Sequence, residues 1–283
     1  MHNAILLISC PDQKGITATI TNFIYENNGN IEHADQHIDS QSNTFFMRIE
    51  WSMDDFSLSR SEIGDKFALI AEKFNIDWSL FFTDSLPKAA IFVSKTEHCL
   101  YDLFLRYKSG QLHCQIPLII SNHHDLKGIA EMFNIPFFEF PPESGSKEKI
   151  EQVQIDLLKK EGIEVVVLAR YMQVLGKRFV QQFKNKIINI HHSFLPAFIG
   201  KKPYAQAYCR GVKLIGATSH YVTEEIDSGP IIEQGIVRVS HRDSLNDLKT
   251  KGCDLEKAVL SRAVLWHLER KILVYNNKTV VFD

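Results

Sequence analysis

From residue 88 onward the chain repeats one pattern, a short strand that is apolar on both faces followed by a helix. Lys88 to Val93, Gln115 to Ile120, Val165 to Leu168 and Lys186 to Ile190 are the strands. Helical spacing of apolar residues covers Glu97 to Tyr107, Leu126 to Phe133 and Lys147 to Lys160, while Pro136 to Phe140 reads as extended. A strand without a polar face has to be covered on both sides, and an intervening helix returns the chain to the same edge. The pattern therefore predicts a mostly parallel sheet with helices on both faces. Leu214 to Val222 and Ile231 to Val239 read as further strands, and Leu255 to Leu268 as a long closing helix.

The chain before this point follows a different rhythm. Asn3 to Cys10 is strand-like, and Pro11 to Gly15 is a turn. Ile16, Ile20, Phe23 and Ile24 recur at helical spacing. Ile31 to Ser40 and Thr44 to Met53 form a hairpin pattern, Ile63, Phe67, Leu69, Ile70 and Phe74 mark a second helix, and Ile76 to Phe82 is a last strand. The order βαββαβ is ferredoxin-like. With Asp84 to Pro87 as a linker, the expected division is residues 1–85 and 86–283, a size that suits two domains. The first domain shows no cluster of catalytic side chains, so it reads as a binding or oligomerising module.

Composition excludes several classes. Thirty-two basic and 34 acidic side chains leave a net charge of −2, with no basic excess to hold a nucleic-acid backbone. Ala4 to Ile8 is too short to span a bilayer, and no charged flank or cleavage site marks it as a signal, so no membrane association and a cytoplasmic location are expected. The five cysteines are widely spaced with no Cys-x-x-Cys pair, which speaks against a thiolate zinc site. His123-His124 and His191-His192 are adjacent pairs that alternate across a strand, so no metal site is expected from them either.

The densest chemistry lies in Asn189-Ile190-His191-His192-Ser193-Phe194-Leu195-Pro196. Asn189 and His191 share one face of a strand, at the carboxyl end where open α/β sheets bind ligands. An amide N–H beside an imidazole can stabilise a developing oxyanion. Taken alone, the same pattern also describes a strand end with two solvated polar groups. Asp227, in Asp227-Ser228-Gly229-Pro230, can hold an imidazolium if it folds back on His191. An Asp before Ser-Gly is otherwise an ordinary turn former.

These segments, together with Gly216-Ala217-Thr218-Ser219-His220, resemble the folate-dependent formyltransferase family. The resemblance implies an N-terminal ferredoxin-like ACT domain followed by a Rossmann-like, mostly parallel α/β formyltransferase domain. Cys10-Pro11-Asp12-x-x-Gly15-Ile16 and Gly29-Asn30-Ile31 carry the ACT part of it. In that family the Asn, His and Asp of these motifs are catalytic, which implies the same roles for Asn189, His191 and Asp227. Leu168-Ala169-Arg170-Tyr171-Met172-Gln173-Val174-Leu175 resembles the folate-pocket segment and implies pterin contacts from Met172, Gln173 and Leu175, and from Thr223, Glu224, Glu225 and Ile226. Without the resemblance, Met172 and Leu175 would read as core residues. His192, Thr218 and His220 are expected beside the catalytic groups.

Two branches of the family are possible. Members that formylate glycinamide ribonucleotide carry a glycine-rich loop after the first strand, whose amides cradle a phosphate. Here that place reads Val93-Ser94-Lys95-Thr96-Glu97-His98-Cys99, without a glycine and with an acidic residue. His191 to Phe198, Pro203 to Tyr208, Gly211 to Thr218 and Ser121 to Leu126 also resemble the hydrolytic branch. The expectation is hydrolysis of 10-formyltetrahydrofolate to formate and tetrahydrofolate, balancing one-carbon pools and supplying formate for purine synthesis. The alternatives are transfer to an amine acceptor and a non-catalytic folate or amino-acid sensor. No cofactor is expected beyond the folate substrate. The ACT resemblance implies a homo-oligomer, dimer or tetramer, and an amino-acid effector, methionine or glycine. Asp12, Gly15, Gly29 and Asn30 are its candidate contacts, with turn and capping chemistry as their plainer role.

Overall fold

The computed structural model describes residues 2–142, 145–197 and 203–283. The chain forms two compact units. The first holds the chain up to Leu86 together with Arg270–Tyr275 and Val280–Asp283; the second holds Pro87–Glu269 and Asn276–Thr279. The sequence division at residue 86 did not anticipate the return of the tail to the first unit. The reason is tertiary: Tyr275 packs its ring 4.5 Å from that of Phe46, and the Arg270 carbonyl accepts a hydrogen bond from Arg48 Nε (3.2 Å).

In the first unit β1 (Asn3–Pro11), α1 (Ile16–Glu26), β2 (Ile31–Asp39), β3 (Thr44–Ser52), α2 (Arg60–Phe74) and β4 (Asp77–Phe82) follow the expected βαββαβ order. The antiparallel sheet runs β2-β3-β1-β4. Ile16, Ile20, Phe23 and Ile24 of α1, and Ile63, Phe67 and Phe74 of α2, bury against Leu6, Ile8, Met47 and Ile49. Phe67 meets Phe23 and Trp78 edge-on. Ser59 and Glu62 form a reciprocal capping box that satisfies the first amides of α2.

In the second unit the strands are β5 (Lys88–Val93), β6 (Gln115–Ser121), β7 (Phe137–Glu139), β8 (Val165–Leu168), β9 (Ile187–His191), β10 (Leu214–Tyr221) and β11 (Ile231–Arg238). The helices are α3 (His98–Lys108), α4 (Lys127–Met132), α5 (Lys147–Glu161), α6 (Lys177–Gln182), α7 (Pro203–Arg210) and α8 (Leu245–Leu268). The sheet order is β11-β10-β9-β8-β5-β6-β7, parallel from β9 to β7 and antiparallel across β10 and β11. Ala90, Phe92, Val166 and Leu168 bury against α5 and α6. Their neighbours Ala89, Ile91, Val165 and Val167 point the other way and are equally buried, which is why these strands carry no polar face. Two short strands, β12 (Ile272–Tyr275) and β13 (Lys278–Val281), pair at the end of the chain.

Helix α8 starts ten residues earlier than its apolar spacing suggests. Those ten residues bury only Leu248 and Gly252, and a single leucine with a glycine does not read as a core face. A Cβ at Gly252 would fall 2.2 Å from the Tyr204 hydroxyl, so the packing of Tyr204 on α8 requires a glycine there. The short α6 and α7 were also not foreseen.

Strand order reverses around β5, which has β6 on one side and β8 on the other. Crossovers leave this point in opposite directions, which opens a crevice at the carboxyl ends of β5 and β8.

Candidate active site

His191 is the last residue of β9, and Asn189 lies two residues before it on the same face. On the antiparallel neighbour β10, Thr218 stands opposite His191 and His220 opposite Asn189. Alternation along two paired strands thus brings four polar groups together. Asn189 Nδ2 lies 3.2 Å from His220 Nε2. His220 Nδ1 lies 3.0 Å from the Tyr221 carbonyl, which can only accept. A neutral His220 therefore carries its proton on Nδ1 and accepts from Asn189 at Nε2.

Asp227 arrives from the β10–β11 connection. Its backbone is left-handed (φ 54°), a conformation that Asp tolerates. Gly229 sets how closely this turn approaches β10, since a Cβ there would fall 1.8 Å from the Tyr221 carbonyl oxygen. Tyr221 N also donates to the Pro230 carbonyl (2.9 Å), and Asn277 Nδ2 donates to the Ser228 carbonyl (2.8 Å). Pinned in this way, Asp227 Oδ1 lies 3.2 Å from His191 Nδ1 and 3.7 Å from His220 Nε2. The hydrogen bond from His191, with the His220 ring close by, holds its carboxyl well below the usual carboxylate range.

His191 is 5% exposed, and its Nε2 is buried with no hydrogen-bond partner among the described residues. Asp227 occupies one ring nitrogen and orients the other away from itself. A buried polar atom left without a partner is costly in a finished core. It is expected where a substrate supplies the missing group.

Of the other expected neighbours, Thr218 is structural. Its hydroxyl donates to the Ser193 carbonyl and accepts from Leu195 N and Gln234 Nε2, fixing the chain just after His191. His192 lies with its ring between those of His191 (5.2 Å) and Tyr204 (5.9 Å). Burial, aided by the charge of Arg170, pushes its pKa down to about 4, so it is neutral at physiological pH. Phe198, at the end of the quoted motif, lies outside the described residues.

The two folate-pocket segments are neighbours. Glu224 binds Gln181 (2.8 Å) and Lys177 (3.3 Å) of α6, which directly follows the Met172 to Leu175 loop. Its carboxylate is thereby engaged on α6. Thr223 Oγ1 closes a local turn onto the Glu225 carbonyl. Met172 (61%), Val174 (53%) and Ile226 (63%) are exposed, an unusual cost for apolar side chains and one that a flat ring can remove. Leu175 is partly buried and packs on the core, while Gln173 and Glu225 are exposed. Met172 N donates to Ser94 Oγ (2.9 Å), and Ser94 donates to Asn122 Oδ1 (2.6 Å). This buried chain ties the pocket loop to the ends of β5 and β6. Sequence reasoning passed over Ser94, although it is the first polar residue of the segment that replaces the glycine-rich loop.

A second polar cluster escaped sequence reasoning altogether. Glu256 of α8, 1% exposed, accepts from Tyr204 Oη (2.5 Å) and His98 Nε2 (2.8 Å) and lies 3.4 Å from Arg170 Nε. Burial opposes its charge, but these donors and the charge of Arg170 hold its carboxyl below the usual range. Burial likewise opposes protonation of His98, while contacts with Cys253, Cys99 and Glu256 outweigh it and push the imidazole up to about 12. A buried glutamate in an otherwise apolar helical face was the available signal. His98, Cys99 and Glu256 are the described side chains whose ligand atoms lie close enough to share a metal ion. Both oxygens of Glu256 are already taken by donors, and the guanidinium beside them opposes a cation, so the donor set fits a charge cluster better.

The four candidate effector residues do not form one site within the chain. Asp12 and Gly15 precede α1, with Gly15 (φ 95°) at its start, while Gly29 and Asn30 follow its end. Eleven helical residues separate the pairs, roughly 16 Å along the axis at ~1.5 Å per residue. Gly29 is closely packed, since a Cβ would meet Ile24 at 2.6 Å and the Phe56 ring at 2.8 Å.

An oriented imidazole, an amide and an ionised aspartate at the carboxyl edge of a mostly parallel sheet define an enzyme of acyl-group chemistry. Comparison with known families is more specific. Residues 87–264 match the formyl transferase model and residues 4–51 the ACT domain model. The chain belongs to the formyl transferase family, with an ACT domain preceding the catalytic fold. A formyltetrahydrofolate deformylase of Synechocystis sp. is 56% identical over 99% of this chain and 98% of its own length. One of Bacillus subtilis is 48% identical over 98% and 93%. The crystal structure of a formyltetrahydrofolate deformylase from Pseudomonas syringae pv. tomato superimposes with a TM-score of 0.98 at 46% identity, covering 100% of this chain and 95% of that one. No helix among the described residues is long and apolar enough to cross a membrane.

Proposed function

We propose that the chain hydrolyses 10-formyltetrahydrofolate to formate and tetrahydrofolate, with Asn189, His191 and Asp227 as its catalytic set. The whole-length similarity to deformylases supports the reaction. The observation that carries the assignment of residues is the buried, unpartnered Nε2 of His191, aimed by the Asp227 contact on Nδ1.

Water adds to the formyl carbon, and negative charge develops on the formyl oxygen. Asn189 N–H and His191 Nε2–H donate to that oxygen. Collapse of the intermediate breaks the carbon–nitrogen bond, and the folate nitrogen takes up a proton. Formate leaves as an anion carrying the oxygen of water, and one proton is released overall. Asp227, held ionised, is a weak base. It serves chiefly as the counter-charge that keeps the imidazole oriented, with Nε2 turned away from the carboxylate. Met172, Gln173, Leu175 and the Thr223 to Ile226 stretch seat the pterin. No cofactor takes part in this reading.

Water is the favoured acceptor because the Val93 to Cys99 segment offers no cradle for a phosphorylated amine. It lacks glycine, and His98, the first residue of α3, is clamped onto Glu256. The ACT unit would carry an amino-acid effector, methionine or glycine, and support a homo-oligomer in the cytoplasm; the formate would feed purine synthesis. A titration of either amino acid that changed neither activity nor Tm would remove the effector from this account.

The test is incubation with 10-formyltetrahydrofolate and no amine, following formate. Steady release is expected. His191→Ala should lower turnover by roughly 100–1000-fold, the usual cost of an oxyanion donor, with the fold retained. Consumption of 10-formyltetrahydrofolate only after an amine was added, with the formyl group recovered on that amine, would overturn the hydrolytic reading.

A further inference from the structure

Arg170 has no role in the chemistry above, and its setting is unusual. It sits in the left-handed region (φ 63°), two residues past the end of β8, a conformation that a long side chain adopts at a cost. Its side chain is 14% exposed, and Nε is buried with no hydrogen-bond partner. Among the described residues its guanidinium donates no hydrogen bond; its one salt-bridge partner is Glu256, 3.4 Å from Nε. Guanidinium carries five N–H donors, and Glu256 is already committed to Tyr204 and His98. With His98 protonated, Arg170, His98 and Glu256 together leave one positive charge that is not balanced within the cluster. A largely buried net charge beside unmet donors calls for an anion.

Its location indicates which anion. Leu168 pairs with Asn189 across β8 and β9; His191 ends β9 two residues beyond that pair, and Arg170 lies in the connection that leaves β8, at the same carboxyl edge of the sheet. Asp227, on the far side of His191, is ionised and repels a newly formed carboxylate, while Arg170 attracts it. His192, which feels both charges and is neutral, adds no opposing charge.

We propose that Arg170 forms a subsite for a small carboxylate, whose natural occupant is the formate released at His191. This rests on the hydrolytic reading for its occupant, but the site is testable without turnover. The shared chemistry is that of a small oxyanion, so formate and inorganic phosphate are compared as separate probes.

The experiment uses the full chain without folate. ¹³C-formate is titrated at constant ionic strength, and line broadening of its NMR signal is followed. Saturable broadening is expected for the unaltered protein. Arg170→Met, which keeps the stem and loses the charge and fork, should weaken binding by roughly tenfold or more, as expected for a charge-assisted pair. Arg170→Lys should fall between the two, and guards against a Met variant that fails to fold. Phosphate should compete less well than formate. Absence of saturation in the unaltered protein, or equal binding by folded Arg170→Met, overturns the subsite. Phosphate binding as tightly as formate overturns formate as the occupant. None of these results depends on turnover, so a failure here leaves the hydrolytic reading intact, and a failure to release formate in the turnover assay does not mimic it.

Discussion

Replacing Asp227 with Asn removes one charge and keeps the shape of the side chain, and the structure sets the size of the effect. Oδ1 lies 3.2 Å from His191 Nδ1 in a site where the carboxylate is only 16% exposed. At an effective dielectric constant of ~20, the attraction between a carboxylate and an imidazolium at this distance is about 5 kcal/mol. The amide retains part of the contact, so about 3–5 kcal/mol of transition-state stabilisation should be lost. That corresponds to roughly a 100- to 5000-fold fall in kcat/KM for formate release. The KM for folate should change little, because the Asp227 side chain faces the histidines. Stability provides an independent readout. The folded-state pKa of Asp227 is depressed, so its contribution is fully present above the unfolded value near 4 and disappears as pH falls through the folded value. The variant should therefore melt about 4–8 °C lower at pH 7, for a loss of ~2 kcal/mol, and this gap should close in strong acid. Turnover within about tenfold of the unaltered enzyme, in a folded variant, would refute the view that this carboxylate holds the imidazole in its working state.

Other expectations follow from single contacts. Gly229→Ala places a Cβ 1.8 Å from the Tyr221 carbonyl oxygen, so the turn must move and carry Asp227 with it; formate release should fall by roughly 100-fold or more, by the same logic of a lost oriented group. Ser94→Ala removes the acceptor for Met172 N; steady-state kinetics should show KM for folate rising several-fold with kcat little changed, and an unchanged KM would count against the role of this serine in setting the pocket loop. Glu256→Ala leaves His98 and Arg170 without their carboxylate; chemical denaturation should show a loss of about 3–5 kcal/mol, as for a broken buried ion pair.

Much of the fold was legible because hydrophobic burial imposes short-range periodicity. Val165 to Leu168, apolar on both faces, could only be an interior strand, and Ile16, Ile20, Phe23 and Ile24 could only be one helical face. What was not legible had no local period. The first turns of α8 hide behind Gly252, which suits a core only because Tyr204 meets it there, and Glu256 further along is buried only because Tyr204, His98 and Arg170 surround it. The same limit applies to the site. Asn189 and His191 announce themselves by alternation along one strand, and His220 joins them because β10 pairs with β9 in one register. Asp227 is different, since only the close approach of Gly229 to Tyr221 brings it to Nδ1 of His191.

The amino-acid sequence by itself determined the two rhythms of the chain, the strand end that bears Asn189 and His191, and the motifs that place the protein in its family. These depend on neighbours in the chain, where side-chain direction is fixed by strand and helix geometry. Only the tertiary structure decided that an exposed Glu224 ties two pocket loops together, that Ser94 holds the Met172 backbone, and that Arg170, His98 and Glu256 meet in one buried cluster. Those groups come from segments far apart in the chain. Their charge and hydrogen-bonding state depend on burial and on partners that no local pattern encodes.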